Sequence, residues 1–74
     1  MALERIKVTF PTDRFVYING EKSGRTNEVL RIAAGIHIFD LGSYANYEPG
    51  FHVIDVEGTT VLQPLIIPFT RKEE

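Results

Sequence analysis

Apolar side chains recur at every second position along most of the chain, and each run is cut short by glycine, proline or asparagine. On an extended backbone that period sends successive side chains to opposite faces, one toward a core and one toward water. Ile6, Val8 and Phe10 alternate with Lys7 and Thr9, and the run stops at Pro11. Val16 and Ile18 alternate with Phe15 and Tyr17 up to Asn19-Gly20, a pair that tolerates positive φ and favours a tight hairpin turn. The pattern returns around Leu30 and Ile32, then over residues 36–41, 51–57 and 61–70. No segment carries a 3.6-residue stripe. The best helical candidate, residues 26–34, is rich in β-branched types and closes on glycine. Valine and isoleucine together number 14 against 9 for alanine and leucine, which favours strands over helices. Strands at spacings of roughly 8–12 residues predict an all-β fold, a small antiparallel β-sandwich of six to seven short strands.

The 74 residues read as one domain, without linker or internal repeat, ending in a charged tail over 71–74 that is expected to fray. The expected core is Ile6, Val8, Val16, Ile18, Leu30, Ile32, Phe39, Leu41, Ile54, Val56, Leu65, Ile67 and Phe69. Residues 21–24 read as a polar, solvated loop, Ala33-Ala34-Gly35 as a chain reversal, and residues 42–50 as the longest loop. Pro64 and Pro68 cannot donate to a ladder, so the last strand is expected at an edge. The first strand, charged at Glu4, Arg5 and Lys7, reads as the other free edge. Arg14 is in phase with Val16 and Ile18, so its stem is expected to snorkel at a sheet edge.

Composition narrows the chemistry. There is no cysteine, hence no disulfide, thiolate metal site or thiol nucleophile. The net charge is −2 with Lys and Arg scattered, which gives no nucleic-acid footprint. Ser23 and Ser43 lie in expected loops outside any nucleophile elbow. Asp13, Asp40 and Asp55 are explained by turns and solvated faces, and no pair of them defines a cleft. His37 and His52 have neither His-x-His nor His-x-x-x-His spacing; His37 reads as a core-edge imidazole bonded to a carbonyl. A metal reading would need His52 beside it, with Asp40 or Asp55 near. The six glycines fall at expected reversals, not in a phosphate-cradling loop before a helix. No enzyme, cofactor or metal is therefore expected. Three charges among the first seven residues, with no apolar core behind them, argue against a secretory leader in this chain. The stretch 61–69 is interrupted by Gln63, Pro64 and Pro68 and is far short of the ~20 residues of a spanning helix.

The order of these signals is similar to a known family. The run Val8-Thr9-Phe10-Pro11-Thr12-Asp13-Arg14-Phe15-Val16-Tyr17-Ile18-Asn19-Gly20 resembles the opening of PEGA domains, a strand, a Pro-Glu-Gly-Ala turn and a short apolar strand ending in Asp-Gly or Asn-Gly. Gly24-Arg25-Thr26, then Leu30, Ile32, Gly35 and His37, then Tyr47-Glu48-Pro49 and Val56-Glu57-Gly58-Thr59-Thr60 continue the match over residues 6–69. Only Pro11 of the name-giving tetrapeptide is present, Arg14 stands where alanine is usual, Asn27 follows Thr26 in place of proline, and Asn46 precedes Tyr47 in place of glycine. The resemblance implies a non-catalytic antiparallel β-sandwich module of bacterial and archaeal cell-surface and envelope proteins.

The aromatics of the longest loop are the remaining candidates. Tyr44 and Tyr47 flank Ala45-Asn46, with Phe51 and His52 just beyond. A tyrosine offers a flat apolar face and a polar tip, which suits either a protein interface or a sugar ring. The reading is a monomeric, non-catalytic structural or protein-interaction module, meeting a protein partner or cell-surface component through Tyr44, Asn46, Tyr47 and His52. The alternative is a carbohydrate-binding surface module built on the same tyrosines. Tyr47 has a competing structural role, packed down on the end of the fold.

Overall fold

The computed structural model describes residues 3–42, 46–60 and 62–72. The fold is all-β. Its strands in chain order are β1 (Leu3–Thr9), β2 (Phe15–Ile18), β3 (Glu21–Arg25), β4 (Val29–Ala33), β5 (Gly35–Asp40), β6 (Tyr47–Glu48), β7 (His52–Val56), β8 (Leu65–Pro68) and β9 (Thr70–Arg71). They form a three-stranded sheet β4-β1-β8, a four-stranded sheet β3-β2-β5-β7 and a two-stranded ribbon β6-β9. The count exceeds the six or seven expected because three short strands arise where side-chain alternation is weak. One is β3, another is β6 inside the expected loop 42–50, and β9 separates from β8 at Phe69.

The Asn19-Gly20 turn accounts for β3. Asn19 has φ 54° and Gly20 φ 85°, the double positive-φ geometry that matches the right-handed twist of a two-residue hairpin. Closing that turn brings residues 21–25 alongside β2, so a stretch without buried apolar residues still becomes a strand. A bulge between Val16 and Tyr17 absorbs the extra residue Ser23. The turn is also fastened to β5: Asn19 N donates to Ile38 O at 2.7 Å and Ile38 N donates to Asn19 Oδ1 at 3.0 Å. A Cβ at Gly24 would lie 2.5 Å from a Leu30 methyl carbon, so a larger residue there requires the Leu30 side chain to shift.

Ala33-Ala34-Gly35, read as a chain reversal, is a corner that carries the chain from one sheet to the other. Before it, β4 pairs with β1; after it, β5 pairs with β2 and β7. Gly35, at φ 129°, lets the chain leave one sheet plane for the other.

The first strand is central, correcting its reading as a free edge. β1 pairs antiparallel with β4 and parallel with β8, with Ile6 opposite Leu30 on one side and Leu65 on the other. The parallel pair also departs from the purely antiparallel architecture expected, because alternation assigns a side chain to a face and says nothing about strand direction. Pro68 does lie at an edge, β8 being the outer strand of its sheet, and Pro64 comes just before it. Residues 70–72 are tied down: β9 pairs with β6, and Lys72 N donates to Asn46 O at 2.9 Å. The end of the expected fraying tail, 73–74, lies outside the described residues.

Both larger sheets contribute to one apolar cluster. Ile6, Val8, Val16, Ile18, Phe39, Leu41, Val56, Ile67 and Phe69 are buried in it, and Leu30, Ile32, Ile54 and Leu65 pack half-buried against it. Every expected core position is there, joined by Phe10 and Tyr47. Phe39 is wholly buried. Replacing it with alanine is expected to cost about 3–5 kcal/mol through lost burial and a residual cavity. That is a large share of the roughly 4–11 kcal/mol available to a chain of this length. A urea titration of Phe39→Ala will show its midpoint collapsed or absent; a midpoint close to the parent's contradicts the packing described.

Candidate functional site

Polar side chains concentrate where the ladders end. The segment between β1 and β2 runs past Pro11 with no neighbouring strand, and Thr26 and Asn27 act as one. Thr26 is 1% exposed. Its N–H donates to Arg14 O at 2.9 Å, its Oγ1 accepts from Arg14 N at 3.0 Å, and the same hydroxyl donates to Thr12 O at 2.9 Å. Asn27, at φ 65°, donates from its backbone to Val8 O at 2.6 Å, and its side-chain amide exchanges hydrogen bonds with both backbone groups of Phe10. An amide side chain thus replaces a missing strand.

Arg14, held by Thr26, sends its guanidinium inward instead of snorkelling into water. Nη2 donates to Leu41 O at 2.9 Å, Nη1 donates to Asn46 Oδ1, and the planar head lies 5.1 Å from the Tyr47 ring centre and 5.7 Å from that of Phe10. One cation ties the end of β5 to the start of β6, using the donor fork and aromatic stacking that suit arginine to such a place. The bond to Arg14 is a role for Asn46 that the glycine usual in the resembled family could not fill.

Tyr47 is 6% exposed. Its ring stands edge-on to Phe69 at 5.5 Å, and its hydroxyl donates to Gly42 O at 2.7 Å. The ring therefore packs against the core and presents no flat face outward. His52 lies across the other side of Phe69 at 4.8 Å, with Nε2 2.7 Å from Pro68 O, so that nitrogen carries the proton. The structure thus gathers Asn46, Tyr47 and His52 at one end of the core, around Arg14 and Phe69. Tyr44 lies outside the described residues.

His37 is bonded to a carbonyl as expected. Nε2 donates to Ala33 O at 2.8 Å, and Nδ1, 2.9 Å from Asn19 Nδ2, accepts from that amide. His37 is opposite Ile54 and His52 opposite Phe39, so the two imidazoles are diagonal neighbours on adjacent strands. Asp40 and Asp55 have the opposite parity and belong to the other side of the sheet. Among the described residues, no group of three His, Asp or Glu side chains gathers in a way that could hold a metal ion.

Glu4 is the site residue that sequence reading missed. It is buried on the inner face of β1, in phase with Ile6 and Val8. Its Oε1 accepts from Thr59 N at 2.8 Å and Thr59 Oγ1 at 2.7 Å, while Arg5 N donates to the same hydroxyl at 2.6 Å. The Thr59 amide, then the Thr59 hydroxyl, and then the neighbouring Arg5 charge hold the Glu4 carboxyl below its ordinary value of 4.5. Phase alone was the available signal.

Comparison with protein-family models, with curated proteins and with solved structures finds no match for this chain.

Two stability tests follow from these fasteners. Thr26→Val keeps the shape and strands Arg14 N and Thr12 O without their hydroxyl, so chemical denaturation should register a loss of about 1–3 kcal/mol. A loss within experimental error counts against the Thr26 clamp. Glu4 tests the second fastener through pH. Its depressed carboxyl contributes stability in full above pH 4.5, and that contribution fades as pH falls through the lower folded value. Urea midpoints of Glu4→Gln should lie below the parent's at pH 7 and converge on them in acid. A gap that stays constant from neutral to acid pH contradicts the Glu4–Thr59 account.

Proposed function

We propose that the chain is a non-catalytic interaction module, a rigid β scaffold that presents one sheet face to a protein partner. Among the described residues, several side chains able to do chemistry are committed to holding the fold. His37, His52, Tyr47, Thr26 and Arg14 bond to backbone groups, and Glu4 is engaged by Thr59. The observation that carries the reading is the outward display on β3-β2-β5-β7. Phe15 and Ile38 are 45% exposed, Val53 55% and Ile36 70%, all on the face turned away from the core. Contiguous apolar surface of this kind is costly to leave in water and marks contact sites. The likeness to PEGA domains supports the same role, since that family supplies non-catalytic modules to surface and envelope proteins. Tyr47 is turned inward, and this reading puts the contact on the sheet face.

Site-specific photo-crosslinking tests the proposal. A benzophenone amino acid replacing Ile36 should give a discrete protein adduct in the cells that make this chain, while the same probe replacing Arg31, on the other large sheet, should give none. No adduct from positions 36, 38 and 53, or equal labelling from position 31, overturns the sheet face as the contact.

A further inference from the structure

The outward face of β3-β2-β5-β7 is laid out by register. Val16, Ile18, Phe39 and Val56 are buried, so the residues alternating with them point away from the core. Phe15 pairs with Arg25 and Tyr17 with Lys22 across β2–β3, Tyr17 with Asp40 across β2–β5, and Ile38 with Val53 and Ile36 with Asp55 across β5–β7. These pairings draw an apolar diagonal from Phe15 through Tyr17 and Ile38 to Val53 and Ile36. Cations gather at its β3 end, while acids stand at the β7 end and beside Tyr17, which pairs with Asp40. Lys22 Nζ and Arg25 Cζ sit 4.1 and 5.3 Å from the Phe15 ring centre at the β3 corner. Asp55 stands at the β7 corner, and Asp40 spends an oxygen on Gly42 N at 2.9 Å.

We propose that this face is the interface of a two-fold homodimer. The proposal rests on the interaction-module reading and names its partner as a second copy of the chain. A two-fold interface is isologous, so it must be complementary to itself. An apolar diagonal with cations at one end and an acid at the other meets that condition. An axis lying in the contact plane beside Ile38 exchanges the two corners, turning each copy's Lys22 toward the other's Asp55 and setting Tyr17 near the other copy's Val53. Ile38 then meets its own symmetry mate. An anionic surface would ask for cations across the whole face, and Asp55 argues against it. Four strands about 4.8 Å apart, each about five residues long at about 3.3 Å per residue, give a face of roughly 19 by 17 Å. At about 320 Å² per copy it lies well below the ~800 Å² per partner of a standard interface, so the association is weak, reversible and dependent on concentration. The monomer expected from blunted strand edges is the dilute form. Proline at β8 guards an edge and does nothing for a face.

Sedimentation velocity on the purified chain from about 10 μM to about 1 mM, a range that reports weak association, decides the matter. The expected result is a monomer–dimer transition. Ile38→Lys should leave a monomer throughout, with circular dichroism like the parent's and, at dilutions where the parent is monomeric, a similar thermal melt, because Ile38 faces away from the core. Lys22→Glu should weaken the dimer about tenfold, since each contact is made twice in a two-fold pair. Adding Asp55→Lys to Lys22→Glu should restore it. A parent chain monomeric throughout, a dimer indifferent to Ile38→Lys, or a charge swap without rescue each overturns the proposal. A monomer that still crosslinks a different protein from position 36 removes only the second-copy partner and leaves the module reading standing.

Discussion

β1 is committed on three sides, and the remaining elements arrange themselves around that commitment. Its inner face carries Glu4, Ile6 and Val8, all buried, so it cannot move outward without losing the middle of the core. One backbone edge is taken by β4 and the other by β8. The β8 partner comes from the far end of the chain, so the pairing closes a long loop and must be repaid by burial. Ile67 supplies part of it, paired with Val8 across the parallel ladder and itself fully buried. Once β1 is central, the proline-bearing strand is left with the edge, and the first strand's charged outward side chains lie on a sheet surface.

A chain of this length has few residues to spare for covering irregular backbone. Its answer is to let short polar side chains stand in for strands. Thr26 and Asn27 hold the stretch from Phe10 to Arg14, Asn19 fastens the hairpin tip to β5, and Thr59 fastens its own turn to Glu4 and Arg5 at the start of β1. Among the described residues no buried side-chain nitrogen or oxygen lacks a partner. A buried polar group left unpaired would cost a noticeable part of so small a total stability. These side chains are consequently occupied, and the outward apolar side chains of the sheet, Phe15, Ile36, Ile38 and Val53, remain exposed.

Alternation was legible because it is local. It identified the longer apolar strands but not β3, β6 or β9, and put every expected core residue in or against the cluster, from Ile6 to Phe69. Asn19-Gly20 was legible for the same reason, since a two-residue turn depends on the φ tolerance of the two residues in it. The candidate site was less so. Tyr47 reads both as a contact residue and as packed on the end of the fold, and Arg14 as snorkelling at a sheet edge. Partners brought together by the fold decide both, Asn46 and Leu41 O for the guanidinium and Gly42 O for the phenol. Glu4 kept time with Ile6 and Val8, but its charge outweighed its phase in the reading because the Thr59 amide and hydroxyl that accommodate it lie far along the chain.

Side-chain size and period thus settled which residues would face inward, because burial acts on each residue separately. Partnership between strands was left to the folded molecule. A backbone amide bonds any carbonyl alike, so nothing in the residues themselves marks β4 and β5 for different sheets, sets β8 parallel to β1, or makes β1 central. Those choices follow from which arrangement buries all the inward faces at once while leaving no polar group stranded, a condition that exists only when the whole chain is in place.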